Sequence, residues 1–139
     1  MGVNVTLLAE ELKDKTRWQK TPEILEDEAY VKMIVRAIKK LYVDTGRALS
    51  YTEELVTVED GVTKFANDLA LDEEEYVLLC AQIDFYKKVQ TDVNNIVGYT
   101  TDALTVTNAD KPYAHLQDTI SNLEKERRIV YYKMVRFVL

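Results

Sequence analysis

A single cysteine, Cys80, and a single histidine, His115, occur among the 139 residues. One thiol excludes an intramolecular disulfide and a multi-cysteine zinc site. One imidazole excludes a His-x-x-x-His zinc helix and leaves a Ser-His-Asp arrangement only one possible base. Gly-x-x-x-x-Gly-Lys-Ser/Thr and Gly-x-Gly-x-x-Gly are both missing, so no phosphate-cradling loop is encoded. Asp-x-Asp-x-Asp-Gly is missing too, which removes the EF-hand and leaves open only a magnesium or calcium site built from scattered carboxylates. The run Glu73-Glu74-Glu75 points its side chains to different faces of a helix and reads as a charged helix start, not an acid/base pair. No enzyme is expected from these absences; no catalytic residue, cofactor site or metal ligand is assigned. No apolar run approaches the ~18 residues that a membrane helix needs. The start, Met1-Gly2-Val3-Asn4, lacks the basic-then-apolar layout of a signal peptide, and its loose fit to a myristoylation pattern is too short to weigh.

Four glycines and two prolines are few for this length, and long regular elements are predicted between them. An apolar fraction of 47% is that of a globular chain, and 139 residues suffice for one domain with a real core. The net charge of −6 argues against general nucleic-acid binding, which depends on clustered cations. One domain is expected: an N-terminal arm at 1–20, a helical bundle at 21–110 with a β-hairpin at 55–65, and a long C-terminal helix with a docking segment at 111–139.

The chain predicts an all-α fold, a small bundle of long helices with a short hairpin excursion. A first helix spans Val3 to Lys15 with Val5, Leu8 and Leu12 on one face. The basic flank after it carries the only tryptophan, Trp18, which either packs back on the domain or anchors a partner. Thr21 and Pro22 suit the N-cap and first position of a second helix. Ile24, Tyr30, Met33, Ile34, Ala37, Ile38 and Leu41 recur there at three- and four-residue steps, and Gly46 is placed to end it. Its cations Lys32, Arg36, Lys39 and Lys40 form either a solvated face or a contact for an acidic neighbour. Leu55–Glu59 and Val62–Phe65 flank Asp60-Gly61, the strongest short-range hairpin signal. Asp72 with Glu75 has capping-box spacing for a third helix, with Tyr76, Leu79, Ile83, Tyr86, Val93 and Val97 as its seam and Gly98 as its cap. Cys80, beside that seam, reads as a small core residue. The connector 99–110 includes Ala103–Thr107, either a short strand or an extended loop.

From Pro112 a last helix carries Tyr113, Leu116, Ile120, Leu123, Val130, Met134 and Phe137 in a heptad-like seam of about 25 residues, roughly 37 Å long. Arg127 interrupts it and is a candidate to pair with a carboxylate across a dimer interface. His115, near the start of this helix, is expected to be non-catalytic. Past residue 128, Ile129, Tyr131, Tyr132, Val135 and Val138 lie off the seam, and an all-round apolar helix is buried on all sides. The stretch from Val130 through Tyr131, Tyr132, Met134, Val135, Arg136, Phe137 and Val138 to Leu139 is therefore predicted to dock on a partner; the rival reading is that it fills the bundle's own core.

The helices at 22–44 and 73–97, the variable connector and the long final helix, with the passages Asp72-Glu-Glu-Glu-Tyr-Val-Leu-Leu-Cys-Ala and Leu116-Gln-Asp-Thr-Ile-Ser-Asn-Leu-Glu-Lys-Glu, resemble the head–tail connector (adaptor) proteins of tailed bacteriophages. The resemblance spans about Thr21 to Leu139 and rests on layout, not on an invariant motif; the hairpin is not matched to the family pattern. It implies a virion protein of the neck, made in the host cytoplasm: a ring, typically a dodecamer, between the portal protein and a tail-side connector or tail-completion protein. DNA would pass through the lumen without specific binding, helped by an acidic lining. Family members commonly engage the portal with the C-terminal segment, here Val130 to Leu139. Ring neighbours meet through unlike patches, for which Trp18, Arg36, Lys39, Lys40, Asp60 and Gly61 are candidates. Two other readings stand beside it: a cytoplasmic helical binding or regulatory module that dimerises through the 113–137 seam, and a small metal-dependent enzyme using carboxylates.

Overall fold

The computed structural model of the chain describes residues 2–16, 26–100 and 110–136, with side chains at 2–16, 26–90 and 116–135. The fold is mostly helical, with four helices and a small three-stranded antiparallel sheet among the described residues. The helices are α1 (Val5–Lys15), α2 (Asp27–Asp44), α3 (Leu71–Thr100) and α4 (Asp110–Arg136). The strands are β1 (Val3–Asn4), β2 (Val56–Glu59) and β3 (Val62–Phe65), in the order β1-β3-β2.

The hairpin follows from its turn. Asp60 and Gly61 both hold positive φ, 52° and 75°, the conformation whose twist suits a two-residue hairpin. Register pairs Val56 with Phe65, Thr57 with Lys64, Val58 with Thr63 and Glu59 with Val62. On the other side of β3, Val3 pairs with Phe65 and Asn4 with Lys64. Val3 and Asn4 are therefore strand, not the first turn of the first helix. Asn4 switches the backbone from strand to helix: its side chain accepts the Leu7 N–H at 3.1 Å, as an N-cap does. Thr6 on the new helix accepts the Thr63 N–H at 2.9 Å, tying α1 to the sheet. Phe65 carries the sheet into the core. It is fully buried and forms a triad with the rings of Tyr42 at 5.7 Å and Tyr51 at 6.1 Å, which lie 5.8 Å from each other.

The α2 helix buries Tyr30, Met33, Ile34, Ala37, Ile38, Leu41 and Tyr42, the three- and four-residue stripe expected of it. It ends at Asp44, with Gly46 at φ 76° and the Arg47 N–H returning to the Tyr42 carbonyl at 2.7 Å. The helix opens at Asp27, not at the expected Thr21 and Pro22, because Glu26 before it is extended (φ −72°, ψ 157°) and stands as its N-cap; Thr21, Pro22 and Ile24 themselves lie outside the described residues.

The α3 helix departs from its predicted seam. It opens at Leu71, one residue early, because Glu73, not Glu75, reaches back to the Ala70 N–H at 3.0 Å; Asp72 is inside the helix. It also continues through Gly98 to Thr100, since one interior glycine costs a helix only about 1 kcal/mol. Tyr76, Leu79 and Ile83 are buried and Tyr86 is half-buried, yet Val77, Leu78, Cys80, Ala81, Phe85 and Val89 are buried as well. Six consecutive buried residues, Tyr76–Ala81, mark α3 as the helix covered on all sides. The side chains of Val93 and Val97 are not among those described. The α4 helix begins at Asp110, two residues before Pro112; a proline in the first helical turn removes no helical hydrogen bond. Ala103–Thr107 lies outside the described residues.

The helix directions follow from the contacts. Tyr76 meets Tyr131, Cys80 meets Arg127 and Lys87 meets Glu124, so α3 and α4 are antiparallel. Asp44 to Tyr76, Arg36 to Asp84 and Tyr30 to Phe85 show the same for α2 and α3. No helix among the described residues is long and apolar enough to cross a membrane. Truncating Phe65→Ala is expected to cost about 3–5 kcal/mol by opening a cavity between sheet and helices, and Gly61→Ala about 1–2 kcal/mol by forcing a side chain into left-handed backbone. Urea unfolding of both variants, with an unchanged m-value, measures the difference.

Candidate docking surface

The ends of three helices converge at one end of the bundle, and Asp44 joins them. Asp44 closes α2, where the helix dipole disfavours a negative charge, so it must be held by something else. Its carboxylate accepts the Tyr76 hydroxyl from α3 and pairs with Lys40 at 3.2 Å. Its backbone carbonyl accepts the Tyr131 hydroxyl from α4 at 3.3 Å. The Tyr76 and Tyr131 rings lie 6.3 Å apart. Burial first, and then the bond to Asp44, push the Tyr76 hydroxyl well above its usual range. Burial also raises the Cys80 thiol, an effect opposed by the Arg127 guanidinium, whose Nη1 approaches Sγ at 3.8 Å. Arg127 thus has an internal partner, the Cys80 sulfur, within the bundle.

Beside this junction lies an open groove of about 520 Å³. Ala70, Tyr131, Met134 and Val135 give it apolar walls, and Asp44, Asp72 and Glu73 give it an acidic rim relieved by Arg47. Arg47 pairs with Glu73 and stands over the Tyr42 ring at 4.7 Å. Next to the groove on α4, Ile129 is 55% and Tyr132 64% exposed, the Tyr132 ring lying 5.9 Å from that of Tyr131. Lys125, Arg128 and Lys133 surround them and are exposed as well.

The predicted docking residues are divided by this arrangement. Val130 and Met134 are buried in the bundle core. Tyr131 and Val135 are half-buried at the groove, and only Tyr132 stands well out. The rival reading, that this end fills the bundle's own core, holds for Val130 and Met134 alone, since Ile129 and Tyr132 are not covered by the bundle; the helix enclosed within the described chain is α3, which lies between α2 and α4. Arg136 ends α4 without a described side chain, and Phe137, Val138, Leu139 and Trp18 lie outside the described residues. Of the other candidates, Arg36 is exposed and pairs with Asp84 at 3.6 Å, Lys40 is committed to Asp44, and Lys39 is exposed. Asp60 and Gly61 sit at the exposed hairpin tip, apart from the groove.

No family model, curated protein or solved structure matches this chain. Among the described residues no three of His, Cys, Asp and Glu converge as metal ligands. Asp44, Arg47, Glu73 and Ile129 were not among the residues predicted for a site. Asp44 had one visible signal, an acid in the last turn of a helix; Glu73 and Arg47 had none, because their pairing spans 26 positions of sequence.

The raised thiol and hydroxyl define an alkaline dependence. Cys80 and Tyr76 release their protons more readily in the unfolded chain, from ordinary values of 9.0 and 10.0. The unfolded state therefore binds fewer protons above those values, and stability, complete below them, falls as pH rises past them. Melting temperatures measured from pH 8 to 11 are expected to decline, and Cys80→Ala and Tyr76→Phe are each expected to make the decline shallower; parallel curves would deny these groups that role.

Proposed function

We propose that the chain is a non-enzymatic structural adaptor: a subunit of a ring in the neck of a tailed-phage virion, linking portal to tail while DNA passes. The observation that carries the reading is the state of α4's last turns. Val130, Tyr131 and Met134 hold them rigidly to the bundle while Ile129 and Tyr132 remain uncovered. A rigid, half-apolar helix end is what a docking element requires, since little side-chain and backbone freedom remains to be lost on binding. The apolar segment Phe137-Val138-Leu139 continues the chain from that end. The acidic surface of the remainder suits a channel wall that must not hold phosphate.

Dimerisation through the α4 seam is the weaker reading, because Leu116, Ile120, Val130 and Met134 of that seam are already buried. The test is native mass spectrometry of the protein with the portal protein encoded beside it. Loading onto portal rings is expected, and deletion of Arg136–Leu139 is expected to lower it at least tenfold while the melting curve still shows a cooperatively folded protein. A stable dimer indifferent to portal rings would overturn the adaptor.

A further inference from the structure

We infer that copies of this chain associate head to tail, the exposed ridge of α4 on one copy seating in the groove at the α2–α3–α4 junction of the next. This deepens the ring reading by naming the two faces that meet, and rests on it only for closure of the assembly. The ridge is a stripe of one helix face: Lys125, Ile129 and Tyr132 recur at four- and three-residue steps opposite buried Val130 and Met134. Arg128 and Lys133 border it. The groove has the converse character, with apolar walls and three carboxylates against one cation at its rim: Asp44 is paired with Lys40 and Glu73 with Arg47, while Asp72 makes no ion pair among the described residues.

The charge pattern extends beyond the groove. From residue 53 to 75 the chain carries nine carboxylates against Lys64 alone, and from 125 to 136 five cations against Glu126 alone. Among the described residues Lys125, Arg128 and Lys133 make no ion pair, nor do Asp72, Glu74 and Glu75. Each copy thus presents a cationic, apolar projection and an anionic, apolar recess.

The ridge adjoins the groove on α4, the Tyr132 ring lying 5.9 Å from that of the groove-lining Tyr131; a helix that forms one wall of the groove cannot also seat in it, so one copy cannot close on itself. Ridge against ridge, the two-fold alternative, sets three unpaired cations against three more, and like charges in contact cost several kcal/mol. Ridge into groove covers Ile129 and Tyr132 and pairs opposite charges. A contact between unlike faces repeats, giving a ring if its rotation closes and a filament if it does not.

The experiment uses the full chain and two variants. Arg128→Gln/Ile129→Ser/Tyr132→Ser disables the ridge; Ala70→Arg/Asp72→Asn places a cation in the groove. All five positions are exposed, and melting curves check that both variants fold. By sedimentation velocity the unmodified protein is expected to associate with rising concentration at low salt and at least tenfold less at about 1 M salt, where screening shortens to ~3 Å. Each variant alone is expected to be monomeric. Mixed, they are expected to form a one-to-one complex and nothing larger, because only one working ridge and one working groove remain. An unmodified protein monomeric throughout, or a dimer that both variants still form, would overturn the contact, as would a ridge that captures an oligonucleotide in preference to a second copy. Variants that fail to pair on mixing yet load onto portal rings would overturn the contact and leave the adaptor standing. Pairing on mixing without portal binding would do the reverse.

Discussion

Burial of α3 between Tyr76 and Ala81 on every side is the constraint around which the rest is arranged. A helix with no solvent face needs cover from several directions, and α1, α2 and α4 supply it. Each fully buried aliphatic or aromatic side chain contributes about 1.5–3 kcal/mol, so this short stretch outweighs any of the surface ion pairs. The same burial creates two polar problems, the hydroxyl of Tyr76 and the thiol of Cys80. An unsatisfied buried hydroxyl costs more than a satisfied one contributes. Asp44 answers the first and Arg127 attends the second, and no described buried side-chain nitrogen or oxygen is left without a partner. Two residues that look misplaced in sequence, an acid ending α2 and an arginine inside the α4 seam, are thus explained by what α3 buries.

These polar contacts also set the rotation of α4. With Val130 and Met134 turned into the core and Tyr131 bound to the Asp44 carbonyl, Ile129 and Tyr132 can only face outward. The groove beside Val135 exists for the same reason: α2 ends at Asp44 and α3 begins at Leu71, leaving the last turns of α4 covered from one direction alone. Packing inside the bundle and character outside it are therefore one arrangement, and the candidate docking faces are its by-products.

Much of the architecture was legible locally. The hairpin announced itself through Asp60-Gly61, whose backbone demands few other residues meet. The α2 stripe from Tyr30 to Leu41 and its stop near Gly46 were readable because period and cap agree. Boundaries were less so. Asp72 and Glu75 have capping-box spacing, but Ala70 and Glu73 provide the actual reach-back, and Gly98 looked like a cap although the helix runs past it to Thr100. Strand β1 was hidden in an apparent helix because two residues have no period; their assignment came from Phe65 and Lys64, about sixty positions away.

By itself the sequence determined the helical class, the hairpin, the stripes that face the core and the strong separation of charge along the chain. These depend on residue order over a few positions, where spacing dictates which side chains share a face. Only the tertiary structure decided which apolar helix is enclosed. The end of α4 and the start of α3 are comparably apolar, and composition cannot rank them; position does, since α3 lies between α2 and α4 whereas α4 packs on one side. The groove, the Asp44 junction and the outward ridge belong to that second kind of fact, because each is made by residues that chain order keeps apart and close packing brings together.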